Sequence, residues 1–318
     1  MTDQTKPVLV IGSLNMDLVA RCEQLPQRGQ TIVGSDFFTA PGGKGANQAV
    51  AAARLGACVR MAGCVGRDAF GTSLVSGLGQ AGIRTEDVAA VDCPTGTALI
   101  TIDAAGANTI VVISGANAAC DAALAEQAVS RAGGPGILLL QHEIPAEANA
   151  RAIAVARQQG WFVILNPAPA RKVPPELLRL IDLIAPNETE AAAILGRSIS
   201  GRDDAISAAR TLLAMGARAA LLTLGGDGAI YCDGAGAWHC PVVPVQAVDT
   251  TAAGDAYLGA FAAALAEARP LSDSLGFAGA AAALAVTRLG AQPSLATREE
   301  LAEFISKNAL PVVEALAA

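Results

Sequence analysis

The sequence is poor in aromatic residues, 3% of its 318 positions, and poor in charge, with 16% Asp, Glu, Lys and Arg. An interior short of rings has to be filled by Ala, Val, Leu and Ile, which favours helices stacked on a sheet. No stretch reaches the ~20 uninterrupted apolar residues of a membrane-spanning helix, because Gly, Asn or a charge breaks each run. A transmembrane helix is therefore not expected. The 7 cysteines form no CxxC pair: Cys22, Cys58, Cys64, Cys93, Cys120, Cys232 and Cys240 stand apart, which argues against a zinc site and for reduced thiols. His142 and His239 are too distant in sequence to suggest a site and read as structural. Met1 to Pro7 lack the basic region and apolar run of a secretory signal, so a cytoplasmic location is expected. Two phosphate-binding patterns are missing as well. There is no GxxxxGK[ST], and no GxGxxG follows the first strand, which disfavours a P-loop kinase and a dinucleotide-dependent dehydrogenase. The formal net charge of −7 opposes association with nucleic acid or an anionic membrane, leaving small molecules as the expected partners.

What is present is a rhythm of short apolar strands and Ala-rich helices. The run VLVIG at Val8 to Gly12 reads as a buried strand, ending in polar residues Ser13, Asn15 and Asp17, where open α/β sheets bind ligands. Glycines 42, 43 and 45 precede a helix from Ala46 to Leu55. From Thr95 to Ser114 the pattern becomes alternating β-branched residues around a small-residue turn, a β-hairpin that interrupts the rhythm and suggests a lid. Further strands end at Gln141 to Glu143, at Asn166 and at Asn187. Leu221 to Gly226 reads as another strand, followed by a hairpin through Tyr231 and Trp238 and by helices from about Gly254 to Glu267 and Leu271 to Arg288. Alternation of this kind predicts a mostly parallel sheet covered by helices, in one α/β domain spanning 1–318.

The strongest local signal is DTTAAGDAYLGAF, Asp249 to Phe261, in which Ala252, Ala253 and Gly254 lead into a helix with Asp255 in its first turn. Small residues leave backbone amides bare at a helix amino terminus, where the dipole favours anions, so a transferred phosphoryl group could be held there. An acid in the first turn also stabilises its own helix, and the segment alone leaves both readings open.

With Gly42, Gly43, Lys44, Gly45, Ala46 and Asn47 followed by Gly56 and Gly66, this segment resembles the two signatures of the ribokinase (PfkB) family of carbohydrate kinases. The likeness extends through GSLNMDLV, LNPAPA at Leu165 to Ala170, PNETEA at Pro186 to Ala191 and VTRLGAQPS at Val286 to Ser294. The resemblance implies a Rossmann-like ribokinase fold whose β-sheet lid comes from about residues 13–41 and 95–114. It implies transfer of the γ-phosphoryl group of ATP to a sugar's primary hydroxyl, with Asp255 as base and the Ala252–Gly254 amides as anion hole. Ribose is the implied acceptor, with deoxyribose or another sugar or nucleoside as alternatives. Asn15, Asp17, Gly43, Lys44, Asn47 and Glu143 would hold the sugar. Thr223, Gly225, Gly226, Asp227, Gly228 and Gly279 would hold the nucleotide, Gly279 standing where relatives usually place Asn or His. Asn187 and Glu190 would order Mg²⁺ through water, although the same pair is also close to a capping box. Asp249, Thr251, Ala285, Arg288, Gly290 and Ser294 match a K⁺ loop, and the lid implies a homodimer. A silent sugar-binding regulator and a nucleotide-independent sugar enzyme are the readings from other classes.

Overall fold

Strand β1 (Val8–Ile11) is buried at every position, and its VLVI sequence follows: Val8 and Val10 face one hydrophobic layer, Leu9 and Ile11 the other. The computed structural model, which describes residues 5–316, sets this strand inside a ten-stranded sheet. From β1 the chain makes β2 (Asn15–Arg21), β3 (Asp36–Gly42), α1 (Lys44–Arg54), β4 (Val59–Gly66), α2 (Ala69–Gln80), β5 (Arg84–Val91), β6 (Gly96–Ile102) and β7 (Asn108–Ile113). Then follow α3 (Ala122–Arg131), β8 (Ile137–Gln141), α4 (Ala146–Gln158), β9 (Phe162–Asn166), α5 (Pro175–Leu178), β10 (Leu183–Ile184), α6 (Glu188–Leu195) and α7 (Gly201–Ala214). The remainder is β11 (Ala219–Thr223), β12 (Ala229–Asp233), β13 (Ala237–Cys240), α8 (Ala253–Ala266), α9 (Leu271–Ala285), α10 (Arg298–Asn308) and β14 (Glu314–Leu316).

The large sheet runs β14, β13, β12, β11, β10, β9, β8, β1, β4, β5, parallel from β5 to β11 and antiparallel beyond. Residues of α1, α2, α8, α9 and α10 join the layer beneath Val8 and Val10, and those of α3, α4, α6 and α7 join the other. Several boundaries differ from the sequence reading. The strand read as ending at Asn187 shortens to Leu183–Ile184, the strand read to Gly226 stops at Thr223, and the helix read to Arg288 ends at Ala285. At Gly225 the backbone takes a φ of 51°, which bends it into a short 3₁₀ turn that a strand cannot continue through. No helix among the described residues is long and apolar enough to cross a membrane.

A second sheet of four strands, ordered β3, β2, β6, β7, is built from two separate excursions of the chain. β2 pairs antiparallel with β3 and parallel with β6, setting Asn15 beside Gly96, and β6 turns into β7 through a loop that Asp103 holds by accepting from the amides of Ala105 and Ala107. The root of β6 is fixed by Asp68, whose carboxylate accepts from the Thr95 amide at 2.8 Å and its hydroxyl at 2.6 Å. Every residue of β7 is exposed.

Candidate active site

Asp255 is buried, 6% exposed, in the first turn of α8. Its Oδ2 accepts from Asn47 Nδ2 at 3.0 Å and its Oδ1 from Gln48 Nε2 at 2.9 Å. Both donors come from α1, which reaches α8 because Gly259, one turn beyond Asp255, has no side chain. A Cβ there would touch Ala51 and come within 2.7 Å of the Gln48 carbonyl. Burial pushes the Asp255 carboxyl up from its ordinary value, against the pull of the Lys44 charge and of the Asn47 and Gln48 bonds.

The chain enters α8 through Ala252 at φ 60°, a left-handed setting that costs an L-residue ~1–2 kcal/mol. The Ala253 amide turns back to the Thr250 carbonyl at 3.2 Å. The amides of Gly254 and Asp255 have no partner among the described residues. Two cavities meet at this tip. One, of about 190 Å³, is lined by Lys44, Asn187, Glu190 and Asp255; the other, of about 460 Å³, is lined by the glycines 225, 226 and 228 and by apolar residues including Val243, Ala282 and Val286. Thr223, Thr250, Ala253 and Gly254 border both.

Lys44 opens α1 behind Gly43, whose φ of 89° and lack of side chain let the loop lie on β2: a Cβ there would come within 2.7 Å of the Asn15 amide. Burial pushes the Lys44 ammonium down, but the carboxylates of Asp255, Glu143 and Glu190 outweigh it and leave it above the ordinary lysine value. Glu143 accepts from the Ser13 hydroxyl and from the Lys44 amide at 3.0 Å. Asn15 Oδ1 accepts from Asn117 Nδ2 at 2.7 Å, and Asn117 is pinned in that sense by Leu14, whose amide donates to its Oδ1 at 2.9 Å. Nδ2 is therefore the group Asn15 has left to offer. Asp17, on the same strand, is pushed up to about 7 by burial and by the neighbouring Glu143 and Asp255.

Asn187 and Glu190 form a complete capping box at α6, with Asn187 Oδ1 accepting from the Glu190 amide at 2.7 Å and Glu190 Oε2 from the Asn187 amide at 2.9 Å. Both still line the smaller cavity, and a lone bridge pairs Asn187 with Thr223. Burial pushes Glu190 up, against the Asn187 bond and Lys44. Gly279 lines the larger cavity, where a Cβ would stand 3.3 Å from Cys240 Sγ. Asp227 departs from its expected place: it borders neither cavity, and its carbonyl is bonded to His239 Nε2 at 2.8 Å. Asp249 ties two loops together, accepting from the Thr251 amide at 2.8 Å and the Gly290 amide at 2.9 Å. Ala285 and Ser294 are buried near that tie in sequence, while the Arg288 guanidinium is paired with Glu300. Gln141 and Asn166 were marked in the sequence only as polar ends of apolar strands, with no partner assigned, and Gln48 and Asn117 were not singled out. The polarity of Gln48 in an otherwise Ala-rich helix was the signal available for it.

The chain belongs to the pfkB family of carbohydrate kinases, whose family pattern matches residues 5–298. Among its relatives is a ribokinase from Haemophilus influenzae, 39% identical over 301 residues covering 94% of this chain and 98% of that protein. A deoxyribokinase from Salmonella typhi is 35% identical over 303 residues, 95% of this chain and 99% of that one. The ribokinase of Arabidopsis thaliana, solved with ribose and ATP, superposes with a TM-score of 0.86 at 32% identity, covering 95% of this chain and 99% of that one.

Proposed function

We propose that this chain transfers the γ-phosphoryl group of ATP to the primary 5-hydroxyl of D-ribose, giving ribose 5-phosphate and ADP, with Asp255 as general base. The observation that carries the reading is a buried carboxylate beside two unpartnered helix-tip amides, at the seam of a polar and an apolar cavity. Asp255 accepts the proton of the attacking hydroxyl, a contribution of ~10²–10⁴-fold. The Gly254 and Asp255 amides and the Lys44 ammonium face the charge on the transferred group, so positioning and electrostatics do most of the work. Asp17 supplies acceptors and the Asn15 amide a donor to the sugar hydroxyls, and the apolar cavity takes the base of the nucleotide.

The chemistry of the polar cavity fits Mg²⁺. Asn187 and Glu190 present oxygens, and Glu190 Oε1 is free of the capping box, so the pair would hold the ion through water. Bound there, Mg²⁺ would neutralise triphosphate charge. The loops tied by Asp249 fit K⁺ through oxygens of Asp249, Thr251, Ala285, Gly290 and Ser294 and the Arg288 carbonyl, since the Arg288 side chain is a cation held by Glu300. One α/β unit over 1–318 carries the smaller sheet as a lid, and its exposed Phe37, Leu99, Ile110, Val111, Val112 and Ile113 support pairing of two lids in a homodimer. Such an enzyme acts in the cytoplasm. An ADP-release assay across ribose, 2-deoxyribose, fructose and adenosine tests the reading. Ribose is expected to give the highest kcat/KM, and ADP release with none of the four overturns it.

A further inference from the structure

Gln48 is fully buried on α1 and borders neither cavity, yet both ends of its amide are bonded. Its Nε2 donates to Asp255 Oδ1 at 2.9 Å and to Asn166 Oδ1 at 3.1 Å, and its Oε1 accepts from Gln141 Nε2 at 2.6 Å. Chemistry dictates these directions. Asn166 must turn Nδ2 toward the Ala185 carbonyl, 2.8 Å away, because a carbonyl only accepts, and its Oδ1 is thereby left facing Gln48. An ionised Asp255 likewise only accepts. The end of Gln48 between those two oxygens is therefore its NH₂ group, and the opposite end is an oxygen that Gln141 meets with its own NH₂. Flipping Gln48 would set acceptor against acceptor at a fully buried position, at ~1–3 kcal/mol for each bond left unmade. The four side chains come from α1, the ends of β8 and β9, and α8, so the amide also fixes the register of the helix bearing Asp255 against the sheet.

We propose that Gln48, braced by Gln141, is the positioning residue that holds the Asp255 carboxylate in a single rotation against the cleft. The inference rests on Asp255 being the base. Asp255 is faced by Lys44 from α1, which favours its ionised form, and by Glu143 beyond β8, Asp17 on β2 and Glu190 on α6, which oppose it. The Gln48 bond favours the ionised form too, so its loss pushes the carboxyl further up and moves the acid limb of the activity profile toward higher pH.

The test is Gln48→Met in the full chain, beside Gln141→Met and Asp255→Asn, with folding checked by circular dichroism. For Gln48→Met the expected result is a fall in kcat of about 10–100-fold, a KM for ATP within about twofold of the parent, and an acid limb of kcat/KM raised by about one pH unit. Gln141→Met keeps the donor but frees its other end, and should shift kcat and the limb in the same directions by less. If Gln48→Met does not fold, Gln141→Met decides. Parent-like kcat, or a lower kcat with an unmoved acid limb, overturns the proposal. An Asp255→Asn variant of full activity would instead remove the base assignment, a separate failure.

Discussion

Asp17→Asn should make the protein more stable and a poorer kinase, with a gain in stability that grows with pH. The Asp17 carboxyl is pushed from an ordinary 3.8 to about 7 in the folded chain. Below about pH 4 the group is protonated folded and unfolded, so it costs nothing; between there and about 7 only the unfolded chain ionises, and native stability is lost as pH rises. Above about 7 the cost is constant. Three pKa units at 1.36 kcal/mol each set a ceiling of about 4 kcal/mol, and partial exposure of the group reduces the expected value to about 2 kcal/mol. Asparagine keeps the shape without the charge. By differential scanning calorimetry the variant should melt about 4 °C above the parent near pH 8, and by less than half of that near pH 5. The same change removes a charged acceptor from the sugar, so kcat/KM for ribose should fall about 10–100-fold. An equal Tm gap at the two pH values, or none, refutes the reasoning.

Other outcomes follow from individual contacts. Lys44→Met should lower kcat/KM on the order of 10²-fold, measured by ADP release, because it removes the cation that faces three carboxylates and the transferred charge. Gly259→Ala forces α1 and α8 apart where a Cβ has no room, and should cost about 1–3 kcal/mol in urea unfolding and lower kcat. Asn117→Ala frees the Asn15 amide to turn, so KM for ribose should rise about tenfold with KM for ATP unchanged. Replacing K⁺ by tetramethylammonium should lower activity, and an unchanged rate would count against the loop tied by Asp249.

The parallel half of the sheet was legible because a strand buried on both faces must be apolar along its length, as Val8–Ile11 is and as β8 is up to the Gln141 at its end. The antiparallel edge was only half visible. Tyr231 and Trp238 marked a hairpin, but β14 is three residues long and carries no alternation a reader could trust. The helix tip at Ala252–Asp255 was legible as small residues before a first-turn acid, but the engagement of the Ala253 amide by Thr250 depends on a turn that composition does not encode. Asn117 was not singled out, and Gln141 and Asn166 were marked only as strand ends, for a related reason. Their roles come from partners between 19 and 118 residues away, and no local spacing records such pairings.

The two chain excursions that form the smaller sheet both leave the large sheet and return to it, one through Gly43 into Lys44, the other from Thr95 through Ile113. Asn15 and Asp17 travel on the outer piece, whereas Asp255 is anchored in the helical layer below. On the proposed reading a sugar held by both would span the joint, as an object spans the jaws of a calliper. In the proposed reaction the length from ring hydroxyl to terminal alcohol has to match the span from Asn15 and Asp17 to Asp255, and a molecule too short or too long would leave its alcohol out of line with the phosphorus. Selection among sugars in such a device is a measurement of distance as much as of hydrogen bonds.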